Sequence, residues 1–469
     1  MTDRQQQLFE RQLSRRELLK TMGVMSAAGL VGSLPGAFSD VAFAGNPRKK
    51  PNILFILSDD HRWDFMSGVG HPFVQTPHLD KLASEGVLFQ NSFVTTSICS
   101  PSRASFLTGQ YAHHHGVISN VSAWSNDNVT FLELLKQGGY DTAFIGKWHM
   151  PGHFPQLRGL DHFVTFTIQH GQGRYWNCPL IENGVEVPSR KPYITDELTR
   201  RALDYIQQER QNPFCLYLSL KAAHHDWSPP DETRDLYSDV RIPLPEEADN
   251  MLGFTNGNLF VGTQKPLSNI YRNYSRVVTS VDNHVGQVLQ RLDELGLREN
   301  TIVVYAGDNG YLFGEHRMVD KREAYEESIR IPFIVRYPGY TPDPGRRAGQ
   351  MVLNIDLAPS LLDAAGLPIP ETMDGESFLP ILSSNSAPGR KAWLYELFKD
   401  YPYRTPPMNA VRTDRHIYIE YEGSRPFELF DVVQDPKERH NLMGTPAGDR
   451  LLPGLKEQLR ILREQRRSS

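Results

Sequence analysis

Short apolar runs followed directly by polar residues recur along this chain, and they constrain its fold more than any other feature. Residues 52–57 lead into Ser58-Asp59-Asp60, and residues 301–306 lead into Gly307-Asp308-Asn309. Three further runs have the same form: 140–146, 214–220 and 331–336. Continuous apolar runs of this length are typical of strands buried on both faces, as in parallel sheets.

Segments with helical spacing separate these runs, at 76–86, 132–137, 195–208 and 271–295. The repeated order of strand, loop and helix predicts an α/β fold, with a large, mostly parallel but mixed central sheet flanked by helices. Ligands bind such sheets at the carboxyl ends of the strands. The polar residues that follow the runs are therefore the first candidates for a functional site.

The composition changes near residues 383–389, which are rich in Ser, Pro and Gly. Beyond them come short alternating runs at 415–421 and 427–431 and an amphipathic segment at 452–463. This pattern predicts a small antiparallel sheet with one helix. We therefore expect a catalytic α/β domain over residues 45–385 and a small C-terminal α+β subdomain over residues 386–469.

The first residues are typical of an export address. Ser14-Arg15-Arg16-Glu17-Leu18-Leu19-Lys20 fits a twin-arginine signal, and Ala42-Phe43-Ala44 fits a cleavage site after a weakly apolar stretch. We predict that residues 1–44 are a signal peptide, that the twin-arginine export machinery is a partner, and that the protein is periplasmic.

The formal net charge is −5, so the chain has no global attraction to nucleic acid, and no nucleic-acid partner is expected. The three cysteines lack the pair spacing of a zinc site. An oxidising compartment permits a disulfide between Cys178 and Cys215, and two free buried thiols are equally compatible with the sequence.

Four oxygen-bearing residues follow two predicted strands: Asp59, Asp60, Asp308 and Asn309. Carboxylate and amide oxygens suit Ca²⁺ or Mg²⁺ and do not suit zinc. The alternative is that each pair caps a helix or turns a loop. The pattern alone leaves both interpretations open.

Cys99 opens the run Cys99-Ser100-Pro101-Ser102-Arg103, and Leu107-Thr108-Gly109 follows it. This stretch resembles the signature of the sulfatase family, in which the cysteine is oxidised to formylglycine. Glu428-Leu429-Phe430-Asp431 and Asp435-Pro436, near the C-terminus, are also similar to that family. The alternative, an inert core cysteine, fits poorly, because Pro101 and the serines do not suit an apolar strand.

The resemblance implies an alkaline-phosphatase-like fold and hydrolysis of sulfate esters on a small molecule or oligosaccharide, with sulfated carbohydrates as the expected substrates. It implies one divalent cation, usually Ca²⁺ with Mg²⁺ as the alternative. The implied ligands are Asp59, Asp60, Asp308, Asn309 and the modified Cys99. A formylglycine-generating enzyme is the implied partner. The hydrated aldehyde carries two hydroxyls, one to attack sulfur and one whose deprotonation releases sulfate.

Basic residues complete the set that the resemblance implies. They lie in Gly146-Lys147-Trp148-His149, Lys221-Ala222-Ala223-His224 and Asp320-Lys321-Arg322, together with Arg103 of the cysteine motif. Arg103 and Lys147 are expected to steady the hydrated aldehyde, and His149 to act as the base that releases sulfate. His224, with His225 as the alternative, is expected to serve the leaving group together with Lys321.

Three other groups of residues have both a functional and a structural interpretation. His113-His114-His115 is expected to be structural, because successive side chains diverge on a helix or a strand. His316 is a candidate for the pocket wall. Tyr175, Trp176 and Trp227 either line a sugar-binding cleft or belong to the core.

Two rival functions remain. Relatives of the same fold use the same modified cysteine to hydrolyse phosphonate or phosphate esters. A binding protein could also keep the fold and lose the chemistry, although retention of every candidate catalytic residue argues against this.

Overall fold

The computed structural model describes residues 50–151, 158–168, 171–248 and 267–468. The predicted signal peptide, residues 1–44, lies outside the described residues. Within the described residues, no helix is both long enough and apolar enough to cross a bilayer.

A mixed sheet of ten strands forms the centre of the described fold, in the order β12-β2-β11-β8-β1-β7-β3-β4-β5-β6. The strands are β1 (Asn52–Ser58), β2 (Val87–Phe93), β3 (Asp141–Gly146), β4 (His162–Phe166), β5 (Leu180–Glu182), β6 (Val185–Val187), β7 (Phe214–Ser219), β8 (Thr301–Gly307), β11 (Phe333–Arg336) and β12 (Arg346–Leu353). β9 (Leu312–Phe313) and β10 (Val319–Asp320) form a separate two-stranded sheet.

The central strands β8, β1, β7, β3 and β4 are parallel to one another. β11 runs antiparallel between β2 and β8, and β5 and β6 close the other edge as antiparallel strands. The structure thus confirms the predicted mixed α/β sheet. The run predicted at residues 331–336 contains β11, which is one of the antiparallel strands of this sheet.

Helices cover both faces of the sheet. They are α1 (Pro77–Ser84), α2 (Cys99–Thr108), α3 (Ala112–His115), α4 (Phe131–Gln137), α5 (Ile194–Ile206), α6 (Leu267–Glu294), α7 (Glu326–Ile329), α8 (Leu357–Ala364), α9 (Leu379–Ser383) and α10 (Pro446–Ser468). Side chains of a strand alternate between the two faces. Leu54 and Ile56 therefore pack with the core on the α5 and α6 side, while Ile53, Phe55 and Leu57 pack with the core on the α2, α4 and α8 side.

The C-terminal part forms an antiparallel sheet of four strands, β13 (Ala392–Leu397), β14 (Met408–Thr413), β15 (His416–Tyr421) and β16 (Glu428–Asp431). Leu455 and Leu459 of α10 pack on one face of this sheet. On the other face, Trp393 contacts Phe93 of β2, with ring centres 5.2 Å apart. The predicted sheet and helix are therefore present, whereas the domain boundary at residues 385 and 386 stays a prediction.

Candidate active site

The two acidic pairs meet at the carboxyl edge of the central sheet. β1 and β8 are parallel and in register to their last residues, so Asp59 and Asp60 emerge beside Asp308 and Asn309. The backbone amide of Asp60 donates to Asp308 Oδ1 at 2.8 Å, and Asn309 Nδ2 donates to Asp60 Oδ1 at 2.7 Å. All four residues are buried. The structure thus brings together the oxygen-bearing residues that the sequence predicts as metal ligands.

This group has the character of a cation site. Ligand atoms of Asp59, Asp60, Asp308 and Cys99 all lie within 4.8 Å of one another. Asp60 Oδ2 and Asn309 Oδ1 are buried without a hydrogen-bond partner among the described residues. Buried carboxylates this close repel one another, and unpaired buried oxygens are costly. Carboxylate and amide oxygens are the ligands that a hard divalent cation prefers.

Cys99 is the first residue of α2, and its side chain lies against the acidic group. Its Sγ is 3.5 Å from Asp59 Oδ1 and 3.9 Å from Asp60 Oδ1, and Lys321 Nζ lies 3.0 Å from it. Burial raises the pKa of the Cys99 thiol, although Lys147 and Lys321 oppose the shift. The unmodified side chain is therefore a protonated thiol, which is a poor nucleophile.

Arg103 lies one turn further along α2 and faces the same group, because residues four apart share a helix face. Its Nε and Nη2 contact Asp308 Oδ2 at 2.9 and 2.8 Å. Its Nη1 donates to Ser219 Oγ at 2.6 Å and to the Lys147 carbonyl at 3.1 Å. One helix thus delivers both the cysteine and a fixed cation to the sheet edge.

Lys147 and His149 follow β3 through a turn that requires glycine. Gly146 has φ +123°, and a Cβ there would lie 1.8 Å from the Ser219 carbonyl oxygen, so no other residue fits without displacement. Lys147 Nζ forms a fully buried ion pair with Asp59. The Nδ1 atom of His149 is buried and has no hydrogen-bond partner among the described residues.

Lys321 and His224 also reach the acidic group. Lys321 Nζ forms an ion pair with Asp60, and His224 Nε2 lies 3.9 Å from Asp60 Oδ2. His224 Nδ1 is 2.6 Å from the His225 carbonyl oxygen, so Nδ1 carries the proton of a neutral ring. Gln172 Nε2, at 3.0 Å, then donates to His224 Nε2.

The neighbouring positive charges stabilise the ionised form of Asp59 more than that of Asp308. Burial opposes ionisation of Asp59, but Lys147, Arg103 and Lys321 hold its pKa well below the ordinary value. Burial, followed by the charge of Asp59, raises the pKa of Asp308. A dication between these groups would favour the ionised form of both.

Both histidines are neutral near pH 7. Burial and the charge of Lys147 lower the pKa of His149 well below its ordinary value. Burial, followed by His225 and Lys147, lowers the pKa of His224 in the same way. A neutral imidazole can accept a proton, so both groups are available as bases.

A cleft of about 350 Å³ opens over the site, and His149, His224, His225 and Lys321 are among its lining residues. Arg322 also lines the cleft. It contacts Asp400 Oδ2 at 2.8 Å and Asp320 Oδ2 at 2.7 Å, and its guanidinium carbon lies 3.4 Å from the ring centre of Tyr403.

Sequence reasoning missed Asp320 and Arg322, which line the cleft, and Lys221, whose Nζ donates to the His225 carbonyl oxygen at 3.4 Å. Asp320 and Arg322 flank Lys321 directly, and Lys221 opens the segment that ends in His224. Burial lowers the pKa of Lys221 to about 8. Proximity to a predicted site residue was the signal that could have found all three.

Other candidates lie elsewhere. His316 does not line the cleft but stacks on Tyr325, with ring centres 3.8 Å apart. The three consecutive histidines contact separate partners, as a structural role requires: His113 contacts Glu396 at 2.9 Å, His114 contacts Asp374 at 2.8 Å, and His115 contacts Ser105 at 3.1 Å.

The three aromatic residues left open by the sequence belong to the core. Tyr175 and Trp227 are buried in the cluster on the α5 and α6 side, and Trp176 packs against it. Cys178 and Cys215 are both free, buried thiols, so the disulfide alternative is not realised in this structure.

Comparison with known proteins agrees with this geometry. The Sulfatase family model matches residues 51–367, and the model described as N-sulphoglucosamine sulphohydrolase, C-terminal, matches residues 314–465. An N-acetylglucosamine-6-O-sulfatase of Bacteroides thetaiotaomicron is 30% identical over 88% of this chain and 86% of its own length.

Solved structures show the same fold. BT4656 in complex with its substrate D-glucosamine-2-N,6-O-disulfate superimposes with a TM-score of 0.81 and 29% identity, over 89% of this chain and 98% of that chain. A phosphonate monoester hydrolase of Agrobacterium radiobacter has a TM-score of 0.73 over 88% and 92% of the two chains, and at 23% identity it shows the fold alone. With two thirds of its length matched by the family model, this chain belongs to the sulfatase family of sulfuric ester hydrolases.

Proposed function

We propose that this enzyme is an exported sulfatase that removes 6-O-sulfate from glucosamine residues of sulfated carbohydrates, using formylglycine made from Cys99 and one Ca²⁺ ion. The observation that carries the proposal is the position of Cys99. It lies at the start of α2 within 3.9 Å of two carboxylates and 3.0 Å from Lys321.

The proposed cation ligands are Asp59, Asp60, Asp308 and Asn309, with the modified Cys99 as a further ligand. Two buried oxygens of this set have no hydrogen-bond partner among the described residues, which supports a bound cation. The oxygen-rich set favours Ca²⁺, which accepts more ligands than Mg²⁺. When bound, the cation would lower the pKa of a coordinated hydroxyl and offset negative charge on the sulfate group.

Oxidation of Cys99 requires a formylglycine-generating enzyme as a partner. The Cys99 side chain has no exposed surface in the folded chain, so we propose that oxidation precedes the completion of folding. Once hydrated, the aldehyde would supply one hydroxyl to attack sulfur and a second whose deprotonation expels sulfate.

Positive groups hold the reacting centre. Arg103 and Lys147 are fixed by Asp308 and Asp59 before substrate binds, so their charges need no reorganisation during the reaction. They would steady the hydrated aldehyde and its developing negative charge. His149, which is neutral and has an unpartnered Nδ1, would accept the proton when sulfate is expelled.

His224 and Lys321 would serve the leaving oxygen. His224 Nε2 has no proton in the state described, so it must first gain one before it can act as an acid. The negative charge of a bound sulfate ester favours that protonation. The Asp60 carboxylate raises the pKa of Lys321 against the effect of burial, so Lys321 remains a cation that attracts the sulfate group.

The substrate part of the proposal draws on two relatives, one named as an N-acetylglucosamine-6-O-sulfatase and one bound to a 6-O-sulfated glucosamine. The cleft of this chain is compatible with a sugar, because polar side chains (Asp320, Asp400 and Arg322) and the aromatic Tyr403 are among its lining residues.

Export is proposed from the N-terminal sequence. The Arg15-Arg16 pair and Ala42-Phe43-Ala44 support a twin-arginine signal and a periplasmic location. Fractionation of cells that express the full chain tests this. The wild type should be periplasmic and a variant with Arg15 and Arg16 changed to Lys should stay in the cytoplasm. Equal export of the two would contradict it.

A substrate panel tests the activity. It contains N-acetylglucosamine 6-sulfate, N-acetylgalactosamine 6-sulfate, an aryl sulfate, an aryl phosphonate monoester and a phosphodiester, with Cys99→Ala as the matched control. We expect the highest kcat/KM for N-acetylglucosamine 6-sulfate and no turnover by the control. Preference for the galactosamine sugar would refute the proposed glucosamine specificity but not the sulfatase activity. Faster turnover of a phosphorus ester would favour the rival hydrolase.

A further inference from the structure

A second cluster of metal-binding side chains lies outside the cleft. His316 comes from the loop between β9 and β10, Glu327 from α7, and Glu438 from the segment after β16. One ligand atom from each lies within 4.8 Å of the other two. The cluster thus joins three segments that are distant in the sequence.

The converging atoms are unsatisfied. His316 Nε2, Glu327 Oε2 and Glu438 Oε1 are each buried without a hydrogen-bond partner among the described residues. Glu327 is 7% exposed and Glu438 is 1% exposed. His316 Nε2 and Glu327 Oε2 are 3.8 Å apart, which is too far for a hydrogen bond. Three unpaired polar atoms at one buried point are costly unless a ligand joins them.

Nearby arginines are engaged with other carboxylates. Arg412 and Arg330 contact Glu326, at 2.9 and 3.3 Å. Arg439, which lines the adjoining groove, pairs with Glu247. Within the described residues, none of these three arginines forms an ion pair with Glu327 or Glu438, so a cation could take that place.

Other contacts hold the side chains in place. Glu438 Oε2 accepts a hydrogen bond from the Glu326 amide at 2.8 Å, which leaves Oε1 as the free atom. His316 stacks on Tyr325 with an interplanar angle of 9°. These contacts fix the side chains, and the groove of about 610 Å³ beside them leaves room for water ligands.

We propose that His316, Glu327 and Glu438 bind a divalent transition-metal ion, with Zn²⁺ as the probe. One imidazole nitrogen and two carboxylate oxygens form a ligand set that zinc accepts, with water completing the shell. The ion would tie the loop between β9 and β10, which precedes Lys321 in the chain, to the C-terminal segment. It is separate from the cation of the active site.

The test uses the full enzyme with Ca²⁺ in excess, so that the active-site position is occupied. Zinc binding is measured by equilibrium dialysis and elemental analysis for the wild type, Glu438→Gln and His316→Asn. Asparagine tolerates the positive φ of 53° at His316 but is too short to replace Nε2. His440→Asn is the matched control, because it removes an exposed imidazole two residues from Glu438.

We expect the wild type and the control to bind one more equivalent of zinc than the two variants. Mutation of residues that only orient the metal ligands typically weakens metal binding by about 10–100-fold. Loss of a ligand itself should therefore weaken zinc binding by at least about 100-fold. Equal zinc content in all four proteins would overturn the proposal.

A second measurement does not depend on folding of the variants. X-ray absorption of the zinc-loaded wild type should show one imidazole and oxygen ligands. A sulfur ligand would put the ion at Cys99, and a shell without imidazole would exclude His316, so either result refutes the site. Neither result bears on sulfate ester hydrolysis, which the substrate panel tests separately.

Discussion

Replacement of Lys147 by Met tests whether the preorganised charges of the site drive the reaction. Lys147 is completely buried and paired with Asp59, so water cannot take its place. Removing one fixed group aimed at developing charge typically costs about 10²–10³ in kcat. Arg103 remains 3.7 Å from Asp59, so we expect a loss in this range rather than complete inactivity.

The same substitution should move the pH profile. Lys147 disfavours the imidazolium form of His149 and so lowers its pKa. Removing the Lys147 charge should raise the pKa of His149. As the pH falls, His149 then becomes protonated, and is lost as a base, at a higher pH than in the wild type. In the wild type the acid limb of kcat should lie below the ordinary histidine pKa, and in Lys147→Met it should lie at higher pH than in the wild type.

The assay is the pH dependence of kcat and KM on N-acetylglucosamine 6-sulfate, normalised to the fraction of Cys99 converted. Lys136→Met is the matched control, since it breaks a half-exposed pair with Asp161 and should cost less than about 1 kcal/mol of unfolding free energy. A Lys147→Met enzyme with kcat within about twofold of wild type, and an unmoved acid limb, would refute the reasoning.

Three further predictions concern the same edge of the sheet. Chelation should abolish turnover of a sulfated sugar, and added Ca²⁺ should restore it; full activity after complete removal of divalent ions, verified by elemental analysis, would contradict the metal role. Asp60→Asn should weaken Ca²⁺ binding by at least about tenfold in calorimetry, and an unchanged affinity would remove Asp60 from the ligand set. Gly146→Ala should lower unfolding free energy by more than about 1 kcal/mol and reduce kcat, since its Cβ would lie 1.8 Å from the Ser219 carbonyl oxygen; a stable, active variant would show that the turn tolerates a side chain.

The sheet and its acidic pairs were predictable because parallel strands end at a common edge. Asp59 and Asp308 each follow an apolar run by two residues or fewer, so the positions of β1 and β8 placed them together. The family resemblance supplied Lys147, His149 and His224, which follow β3 and β7 on that same edge.

Other features carry no such signal. All ten residues of α2 are buried, so the helix has no solvent-exposed face, and its sequence has no amphipathic period to detect. The direction of His316 depends on tertiary contacts. Glu315 pairs with Arg62 at 2.6 Å, and His316 stacks on Tyr325. Contacts with residues distant in the sequence thus place the His316 side chain away from the cleft.

Aromatic residues were ambiguous for a related reason. Tyr175 and Trp227 are residue types that often line sugar-binding sites. Their place in the core depends on tertiary packing, which no local sequence pattern encodes. Arg322 and Asp400 come together across 78 residues of sequence, so their pairing at the cleft became visible only in the folded chain.

The state of residue 99 in active enzyme is the most direct test of the mechanism. Mass spectrometry of the peptide that spans Cys99, measured beside sulfate ester turnover on the same preparations, should show a carbonyl in place of the thiol, with activity proportional to the converted fraction. Full activity from protein whose Cys99 is entirely thiol would contradict the account.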